Sequence, residues 1–177
     1  MSLTERKEMV MAVKISPLVH IEIVVRDAEE AYRFLKRVFG AEKTQLKFAG
    51  MLDGPGAHVV HVELGGAILQ FIEPRQEGTL WWDFLKEKGP GVHNLTFTVE
   101  NMEETVNALE KEGAEVLLKF PLDWSYMAEI LPPGINIEEN PQPVHMIEAM
   151  EKVGFRIELG EARPGEDGSL PDLKGIN

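Results

Sequence analysis

The feature that most constrains the fold is a strictly alternating stretch of sequence that occurs twice. The first copy runs from Leu18 to Val25 and the second from Val92 to Val99. Alternation of apolar and polar residues is typical of a β-strand with one face in the core. The two copies are 74 residues apart, counted from Val25 to Val99. A chain that repeats one unit is best interpreted as two copies of a module.

The repeat continues into a predicted helix after each strand. Asp27 precedes the first helix and Asn101 precedes the second, and each is followed by a glutamate three residues later. An Asp or Asn followed by Glu at this spacing is typical of a capped helix N-terminus. Gly40 and Gly113 are the predicted ends of the two helices. Each module therefore begins with a strand and then a helix.

The modules also end alike, but at a larger spacing. Residues 66–73 resemble residues 154–161, an offset of 88 instead of 74. The difference places an insertion in the second module, and the irregular residues 122–143 are its predicted location. A long irregular insertion is often a lid or a substrate-facing loop. Alternatively, it covers an exposed sheet edge.

The predicted fold class is α+β, with two tandem βαβββ modules that form one mixed sheet around a shared cup. The chain divides into a lead-in segment, a first module, a linker with a short helix, a second module and a flexible tail. These are residues 1–16, 17–75, 76–90, 91–161 and 162–177, respectively. The linker helix holds Trp81 and Trp82, for which packing at the module junction is favoured over a ligand platform.

Composition restricts the partners of the chain. The net charge of −12 disfavours nucleic acid and anionic membrane surfaces, which need clustered Lys and Arg. The absence of cysteine removes disulfides, thiolate metal sites and cysteine nucleophiles. No apolar run approaches the length of a membrane helix, and the first residues lack the pattern of a secretory signal. We therefore expect a cytoplasmic protein whose partner is a small molecule.

The first strand presents two reactive side chains on its polar face. His20 and Glu22 alternate with Ile21 and Ile23, so the imidazole and the carboxylate point the same way. Burial of such a pair without a partner is costly. This face therefore either opens to water or holds something.

The second strand requires a choice between two neighbouring residues, His93 and Asn94. His93 alternates with Leu95 and Phe97, which predicts that it points towards the helices. Asn94 is then on the polar face, together with Thr96. A β-bulge would reverse this assignment, but the sequence carries no signal for one.

The order of these repeated elements resembles that of the vicinal oxygen chelate superfamily. This superfamily includes glyoxalase I, methylmalonyl-CoA epimerase, extradiol dioxygenases and the bleomycin-resistance proteins, and the local similarity is strongest to epimerase-like members. The resemblance is carried by His20–Asp27, Leu64–Pro74, Phe84–His93 and Gly154–Glu158. It implies a U-shaped, cup-like sheet with the helices outside.

The resemblance also implies a metal site. In metal-using members, one ligand comes from the first and one from the last strand of each module, and these positions are His20, Gln70, Asn94 and Glu158 here. The implied cofactor is a divalent ion such as Zn, Ni, Co, Mn or Mg. The family commonly has histidine where Asn94 stands, and an amide is a poor ligand for Zn, Ni or Co. We therefore expect weak or absent transition-metal binding, and occupancy by a harder, oxygen-preferring ion is the open alternative.

Two functions follow from the resemblance. The first is a glyoxalase- or epimerase-like lyase or isomerase that acts on a small substrate with vicinal oxygens through a metal-stabilised enolate. Glu158 and Glu22 are its candidate catalytic carboxylates, and an ion pair with Arg156 is the favoured structural alternative for Glu22. The second function is metal-free binding of a small molecule, as in the resistance proteins of the same fold.

The substrate cup needs lining residues beyond these carboxylates. The predicted ones are Thr96, Arg156, His61 and His145. For the histidines, a structural or surface role is the alternative. Homodimers are common in the superfamily, so the resemblance also implies a homodimer.

Overall fold

The first module follows the predicted order of elements. The computed structural model of the protein describes residues 13–44, 53–121 and 143–162. The elements of the first module are β1 (His20–Val24), α1 (Ala28–Phe39), β2 (Glu42–Lys43), β3 (Ala57–Leu64) and β4 (Ala67–Pro74). Residues 45–52, between β2 and β3, lie outside the described ranges.

The second module repeats this order after a connecting helix. The connecting helix is α2 (Leu80–Lys88), and the module consists of β5 (Gly91–Val99), α3 (Met102–Lys111), β6 (Glu115–Pro121), β7 (Pro143–Glu148), α4 (Met150–Val153) and β8 (Arg156–Glu161). The short helix α4 connects β7 to β8, and Gly154 ends it with a φ of +85°. Residues 122–142 lie outside the described ranges, so the role of the insertion stays a prediction.

The eight described strands form one sheet in the order β2-β3-β4-β1-β5-β8-β7-β6. Within each module the first strand is parallel to the last, since β1 pairs with β4 and β5 pairs with β8. The modules join through antiparallel pairing of β1 with β5. This arrangement confirms the α+β class and the single mixed sheet. The two repeated strands therefore lie side by side at the centre, where residues of both modules meet.

Helices α1 and α3 cover one face of the sheet with apolar side chains. In the first module, Ile23 and Val25 belong to the same apolar cluster as Leu35 of α1. In the second, the equivalent cluster contains Phe97, Val99, Met102 and Leu109. Full burial of an aliphatic side chain stabilises a fold by roughly 2 kcal/mol, so this face supplies much of the core. The helices described are too short or too polar to cross a membrane.

Both long helices begin with the predicted local cap. The Asp27 side chain accepts the backbone N–H of Glu30 over 2.7 Å, and the Asn101 side chain accepts that of Glu104 over 3.0 Å. These caps satisfy backbone donors that have no partner within the helix.

A second cap comes from the far end of each module. Oε2 of Glu73 accepts the backbone N–H of Ala28 over 3.1 Å, and Oε2 of Glu161 accepts that of Met102 over 2.9 Å. A carboxylate at a helix N-terminus also interacts favourably with the helix dipole. The repeat thus includes a long-range contact between the last strand and the helix of each module.

The opposite face of the sheet, called the cup face below, carries His20 and Glu22. Helix α2 packs onto one end of this face, where Phe84 joins Val24 and Ile72 in an apolar cluster. Trp81 packs against the same cluster, as the structural interpretation of the linker helix expects. One end of the cup face is therefore apolar, and the polar residues occupy its central part.

Candidate active site

The strand register brings the predicted site residues together on the cup face. Glu22 of β1 lies between Gln70 of β4 and Asn94 of β5, and His20 lies opposite Thr96. Paired residues of neighbouring strands present their side chains on the same face. All five of these residues are buried, with 7% or less of their surface exposed. The first three of the four implied ligand positions are therefore neighbours.

The next strands on either side, β3 and β8, add three further predicted residues to this group. Glu158 of β8 lies beside Thr96, and Arg156 lies beside Asn94. On the other side, His61 of β3 lies opposite Gln70. The predicted positions of these side chains on the cup face are thus consistent with the register.

Hydrogen bonds connect the centre of the group. The Thr96 hydroxyl donates to Oδ1 of Asn94 over 3.1 Å and is 2.9 Å from Nε2 of His20. Nδ2 of Asn94 donates to Oε2 of Glu158 over 3.4 Å, which is at the long end for a hydrogen bond. The carboxyl of Glu158 is therefore linked to His20 through two neutral side chains.

His20 is uncharged at neutral pH. Burial, together with the charge of His61, lowers the pKa of His20 to about 3. A side-chain hydrogen bond with Gln70 acts against this lowering. The two imidazole rings meet edge to face with centroids 6.4 Å apart. Nε2 of His61 lies 2.8 Å from Nε2 of Gln70.

Among the described carboxyls, Glu158 has the pKa furthest from the ordinary value. Loss of hydration on burial and the negative charge of Glu22 raise the pKa of Glu158 to about 8, against a hydrogen bond from Thr96. Among the described residues, no Lys, Arg or His forms an ion pair with it. A carboxyl that titrates near neutral pH can both accept and return a proton.

His93 does not point where strand parity predicts. The pairing of β1 with β5 shifts, so that Glu22 lies opposite Asn94 and Ile23 lies opposite Val92. This shift is a β-bulge that leaves His93 as the extra residue. The His93 side chain is fully buried and reaches Glu22 on the cup face. The prediction that His93 points towards the helices is therefore wrong.

Two side chains donate hydrogen bonds to Glu22. Nε1 of Trp81 donates to Oε1 of Glu22 over 2.8 Å, and Nδ1 of His93 donates to the same oxygen over 2.6 Å. Arg156 donates to Nε2 of His93 over 2.6 Å and to Glu148 over 3.0 Å. The expected direct ion pair between Glu22 and Arg156 is wrong, because His93 stands between them. Both ring nitrogens of His93 are occupied, so His93 does not replace Asn94 as a metal ligand.

One predicted cup residue, His145, lies on the other side of the sheet. It is opposite Leu159 in the register of β7 and β8, and Leu159 belongs to the apolar cluster under α3. Because paired residues share a face, His145 faces α3 and the prediction that it lines the cup is wrong. His58 lies near the start of α1, where its Nδ1 is 3.0 Å from Asp53.

The donor atoms test the metal site that the resemblance implies. His20 offers one imidazole, Gln70 one amide oxygen and Glu158 one carboxyl. The Asn94 amide is already bonded to Thr96 and Glu158. Within the described ranges, no three His, Cys, Asp or Glu residues group together in a way that could hold a metal ion. This set does not fit Zn, Ni or Co, and Mg or Mn would find one carboxylate and one amide oxygen.

Sequence reasoning missed two contributors to the site, namely His93 and Trp81. Strict alternation concealed His93, although a buried Glu22 needs a hydrogen-bond donor and so points to a nearby histidine. The indole N–H of Trp81 is the second donor, and composition alone presented this residue as apolar.

Comparison with known proteins gives a family match. A model of the glyoxalase/bleomycin resistance protein/dioxygenase superfamily matches residues 19–123. This range is more than half of the chain and extends from β1 to just beyond β6.

Curated relatives include epimerases. Human mitochondrial methylmalonyl-CoA epimerase is 32% identical over 94 residues, which are 52% of this chain and 52% of that protein. The uncharacterized protein YqjC of Bacillus subtilis is 26% identical over 102 residues, which are 58% of this chain and 71% of that protein. The match thus spans about half the length of the human relative.

Solved structures support the fold over a longer range. Methylmalonyl-CoA epimerase from Mycobacterium tuberculosis has a TM-score of 0.56 at 19% identity, over 89% of this chain and 95% of that one. A variant of the Streptomyces coelicolor methylmalonyl-CoA epimerase, in complex with 2-nitronate-propionyl-CoA, has a TM-score of 0.57 at 18% identity, over 84% of this chain and 98% of that one. At such identities the likeness shows the fold.

Proposed function

The chain belongs to the glyoxalase/bleomycin resistance protein/dioxygenase superfamily, and on this premise we propose that it is an isomerase or lyase that moves a proton on the carbon next to a carbonyl group. The observation that carries the proposal is the position of Glu158. Its carboxyl lies on the cup face among buried polar side chains and, within the described residues, has no cationic partner. The epimerases among its relatives agree with a proton-transfer reaction.

Glu158 is the proton carrier in this mechanism. In its ionised form it removes a proton from the carbon beside the substrate carbonyl, and it returns that proton to the same carbon or to a neighbouring atom. The electron pair released by the carbon moves onto the carbonyl oxygen. A carboxyl that titrates close to the working pH suits both steps.

The developing oxyanion needs a hydrogen-bond donor, and Asn94 can supply one. One hydrogen of its amide is donated to Glu158, so the second remains to be donated to the substrate oxygen. Thr96 fixes the orientation of this amide by donating to its oxygen. A donor held in place before the reaction stabilises charge without reorganisation. The metal-stabilised enolate implied by the resemblance is not part of this mechanism, because the donor set does not fit such an ion.

A binding protein without catalytic activity is the second candidate. The observation that favours it is the Asn94 amide, whose hydrogen bonds to Thr96 and Glu158 make a self-contained network. Such a network lines a pocket well without any chemistry.

Hydrogen exchange in D₂O separates the two candidates. The protein is incubated with dihydroxyacetone, with the hemithioacetal of methylglyoxal and glutathione, and with methylmalonyl-CoA, and loss of the proton beside the carbonyl is followed by NMR. We expect exchange in at least one compound, at a rate that rises as pH increases through about 8 because Glu158 must be ionised to accept a proton.

The variant Glu158→Gln supplies the decisive comparison. Removal of a general base typically lowers a rate by about 10²- to 10⁴-fold, so exchange should fall by this factor. Glu110→Gln, at an exposed position of α3, is the matched control and should leave the rate unchanged. Binding of a compound without enzyme-dependent exchange would establish the binding protein, and equal rates in both variants would remove Glu158 from the mechanism.

A further inference from the structure

Arg156 is the only Lys or Arg side chain that the described strands place on the cup face. It lies beside Asn94 in the register of β8 with β5, and it stands two residues before Glu158 on β8. Neighbouring strands are about 4.8 Å apart, and alternate residues of one strand are about 7 Å apart. Arg156 is therefore a direct neighbour of both side chains that the proposed reaction uses.

Two contacts hold the guanidinium of Arg156 in place. Its Nη1 donates to Nε2 of His93 over 2.6 Å, and its Nε donates to Oε2 of Glu148 over 3.0 Å. His93 is fully buried, and Phe84 packs edge to face on its ring. Partners on β5 and β7, the strands on either side of the centre of the second module, thus set the orientation of the guanidinium.

The third nitrogen of the guanidinium, Nη2, is open. It has no hydrogen-bond partner among the described residues. It is also not one of the buried polar atoms without a partner, so it retains contact with solvent. The Arg156 side chain is 17% exposed. A planar guanidinium that is fixed at two nitrogens presents the N–H groups of the third in a set direction.

The proposed reaction creates a negative charge that needs such a donor. When Glu158 takes the proton, its own carboxyl becomes neutral and the charge moves to the substrate oxygen. Glu22, whose negative charge already acts on Glu158, opposes a further negative charge nearby. A positive group that is held in place before the reaction offsets this opposition without reorganisation. The amide of Asn94 is uncharged, and a hydrogen bond from an ionised donor is about twice as strong.

We propose that Arg156 is a catalytic residue that donates from Nη2 to the substrate oxygen on which negative charge develops, beside the amide of Asn94. This role rests on the proposed function, because it adds a second donor to the same proton transfer. Glu158 takes the proton from carbon, and the electron pair of the C–H bond moves onto the carbonyl oxygen. When Glu158 returns the proton, the electron pair returns with it, and Arg156 keeps its own protons throughout.

The first test measures exchange in D₂O with the compound that exchanges fastest. Removal of one oxyanion donor typically costs about 10²- to 10³-fold in kcat, so Arg156→Ala should lose this factor. KM should change little, because the bond strengthens in the transition state. Arg156→Lys keeps a charge without the fork of donors and should retain an intermediate rate, also if Arg156→Ala does not fold.

Chemical rescue tests whether the lost group is a charged donor. Methylguanidinium should raise the rate of Arg156→Ala in a saturable manner. Methylurea has the same shape without the charge and should not raise it. Equal effects of the two compounds would overturn the role of the charge.

Glu148→Gln distinguishes catalysis from support of the fold. The glutamine oxygen still accepts from Nε of Arg156, so the guanidinium stays in place and only the ion pair is lost. We expect kcat within about fivefold of that of the unchanged protein. Lys152→Ala, at an exposed position of α4, is the control for loss of a positive charge and should have no effect. A loss in Glu148→Gln as large as that in Arg156→Ala would assign a structural role to Arg156.

The bound substrate itself reports contact with Arg156. In a Glu158→Gln background proton transfer is blocked, and ¹³C labelling identifies the carbonyl stretching band of the bound compound in the infrared spectrum. A charged donor polarises the carbonyl and lowers this frequency. Addition of Arg156→Ala, or of Arg156→Lys, should move the band to a higher frequency. A band that does not move would overturn the contact.

The outcomes separate this role from the proposed function. Exchange that Glu158→Gln abolishes and Arg156→Ala leaves unchanged would retain the function and reject the role of Arg156. Exchange that Arg156→Ala abolishes, that methylguanidinium restores and that Glu158→Gln leaves unchanged would retain Arg156 and reject Glu158 as the base. No exchange in any compound would reject the function and this role together.

Discussion

At the scale of single residues, two carboxyls on one face have opposite surroundings. Glu22 receives hydrogen bonds from Trp81 and His93. Arg156 in turn donates a hydrogen bond to the other ring nitrogen of His93. Glu158 receives hydrogen bonds from Asn94 and Thr96, both uncharged, and the bond from Asn94 is long. The partnered carboxyl therefore serves as fixed charge, and the poorly partnered one is suited to exchange a proton.

The raised pKa of Glu158 predicts how stability depends on pH. Between the ordinary value of 4.5 and about 8, the folded state holds a proton that the unfolded state has released. The free energy of unfolding should therefore fall as pH rises through this range, by at most about 1.4 kcal/mol per pH unit from this group. Glu158→Gln should remove this fall and be relatively more stable at pH 8, as measured by urea unfolding. A fall as steep in Glu158→Gln as in the unchanged protein would contradict the assignment.

The bond from His93 to Glu22 predicts a large loss of stability when one partner is removed. His93→Leu leaves a buried carboxylate with a single donor, and we expect a loss of about 3–5 kcal/mol in the free energy of unfolding. The double variant Glu22→Leu with His93→Leu removes the charge and should recover at least half of this loss. A single variant that is as stable as the double one would show that Glu22 does not depend on His93.

At the scale of secondary-structure elements, the bulge in β5 decides the composition of the site. It allows two consecutive residues, His93 and Asn94, to be buried on the cup side, while Val92 is 41% exposed. Helix α2 completes this arrangement, because Phe84 packs edge to face on the His93 ring with centroids 5.1 Å apart. The element that links the modules thus also fixes a residue of the site.

The long-range caps predict equal effects in the two modules. Glu73→Ala and Glu161→Ala each remove the acceptor of a helix N–H, and each should cost about 1 kcal/mol in the free energy of unfolding. The corresponding Gln variants keep an acceptor and lose only the charge, so they should cost a few tenths of a kcal/mol. Urea unfolding of all four variants tests this. An Ala variant no less stable than its Gln counterpart would exclude a capping role.

At the scale of the whole molecule, the site exists because two modules share one sheet. His20, Glu22 and Gln70 belong to the first module, whereas Asn94 and Glu158 belong to the second. The antiparallel pairing of β1 with β5 is the contact that brings the two sets together. The acidic net charge of −12 and the two carboxyls of the cup face disfavour an anionic partner.

Metal analysis of the purified protein tests whether the site works without a bound metal ion. We expect substoichiometric metal in protein purified without a metal-affinity step, and no rise in the midpoint of thermal unfolding with Zn, Ni, Co, Mn or Mg, because a ligand that binds only the native state raises this midpoint. His20→Ala is the control for binding elsewhere. One equivalent of metal that is lost in His20→Ala would support the mechanism with a metal-stabilised enolate instead.

Much of this protein could be predicted from its sequence because the relevant signals are local. The alternation around Ile21 and Ile23 depends only on strand geometry, and the caps at Asp27 and Asn101 depend on neighbours three residues away. The repeat then supplied the topology, since two similar modules with one apolar face each must share a core. Gln70, which lies beside Glu22, was assigned to the site by the family resemblance and not by strand parity.

Only the tertiary structure decided how the buried charges are partnered. The bulge that turns His93 towards Glu22 and the long-range cap from Glu161 both join residues far apart in the chain, and neither leaves a local pattern. His145 shows the converse, because its face depends on the register with β8 and not on its own strand. The sequence by itself determined the elements and the shared sheet, because period and capping are properties of short stretches. The three-dimensional packing determined the site, because a buried charge is stabilised by whichever donor the fold brings next to it.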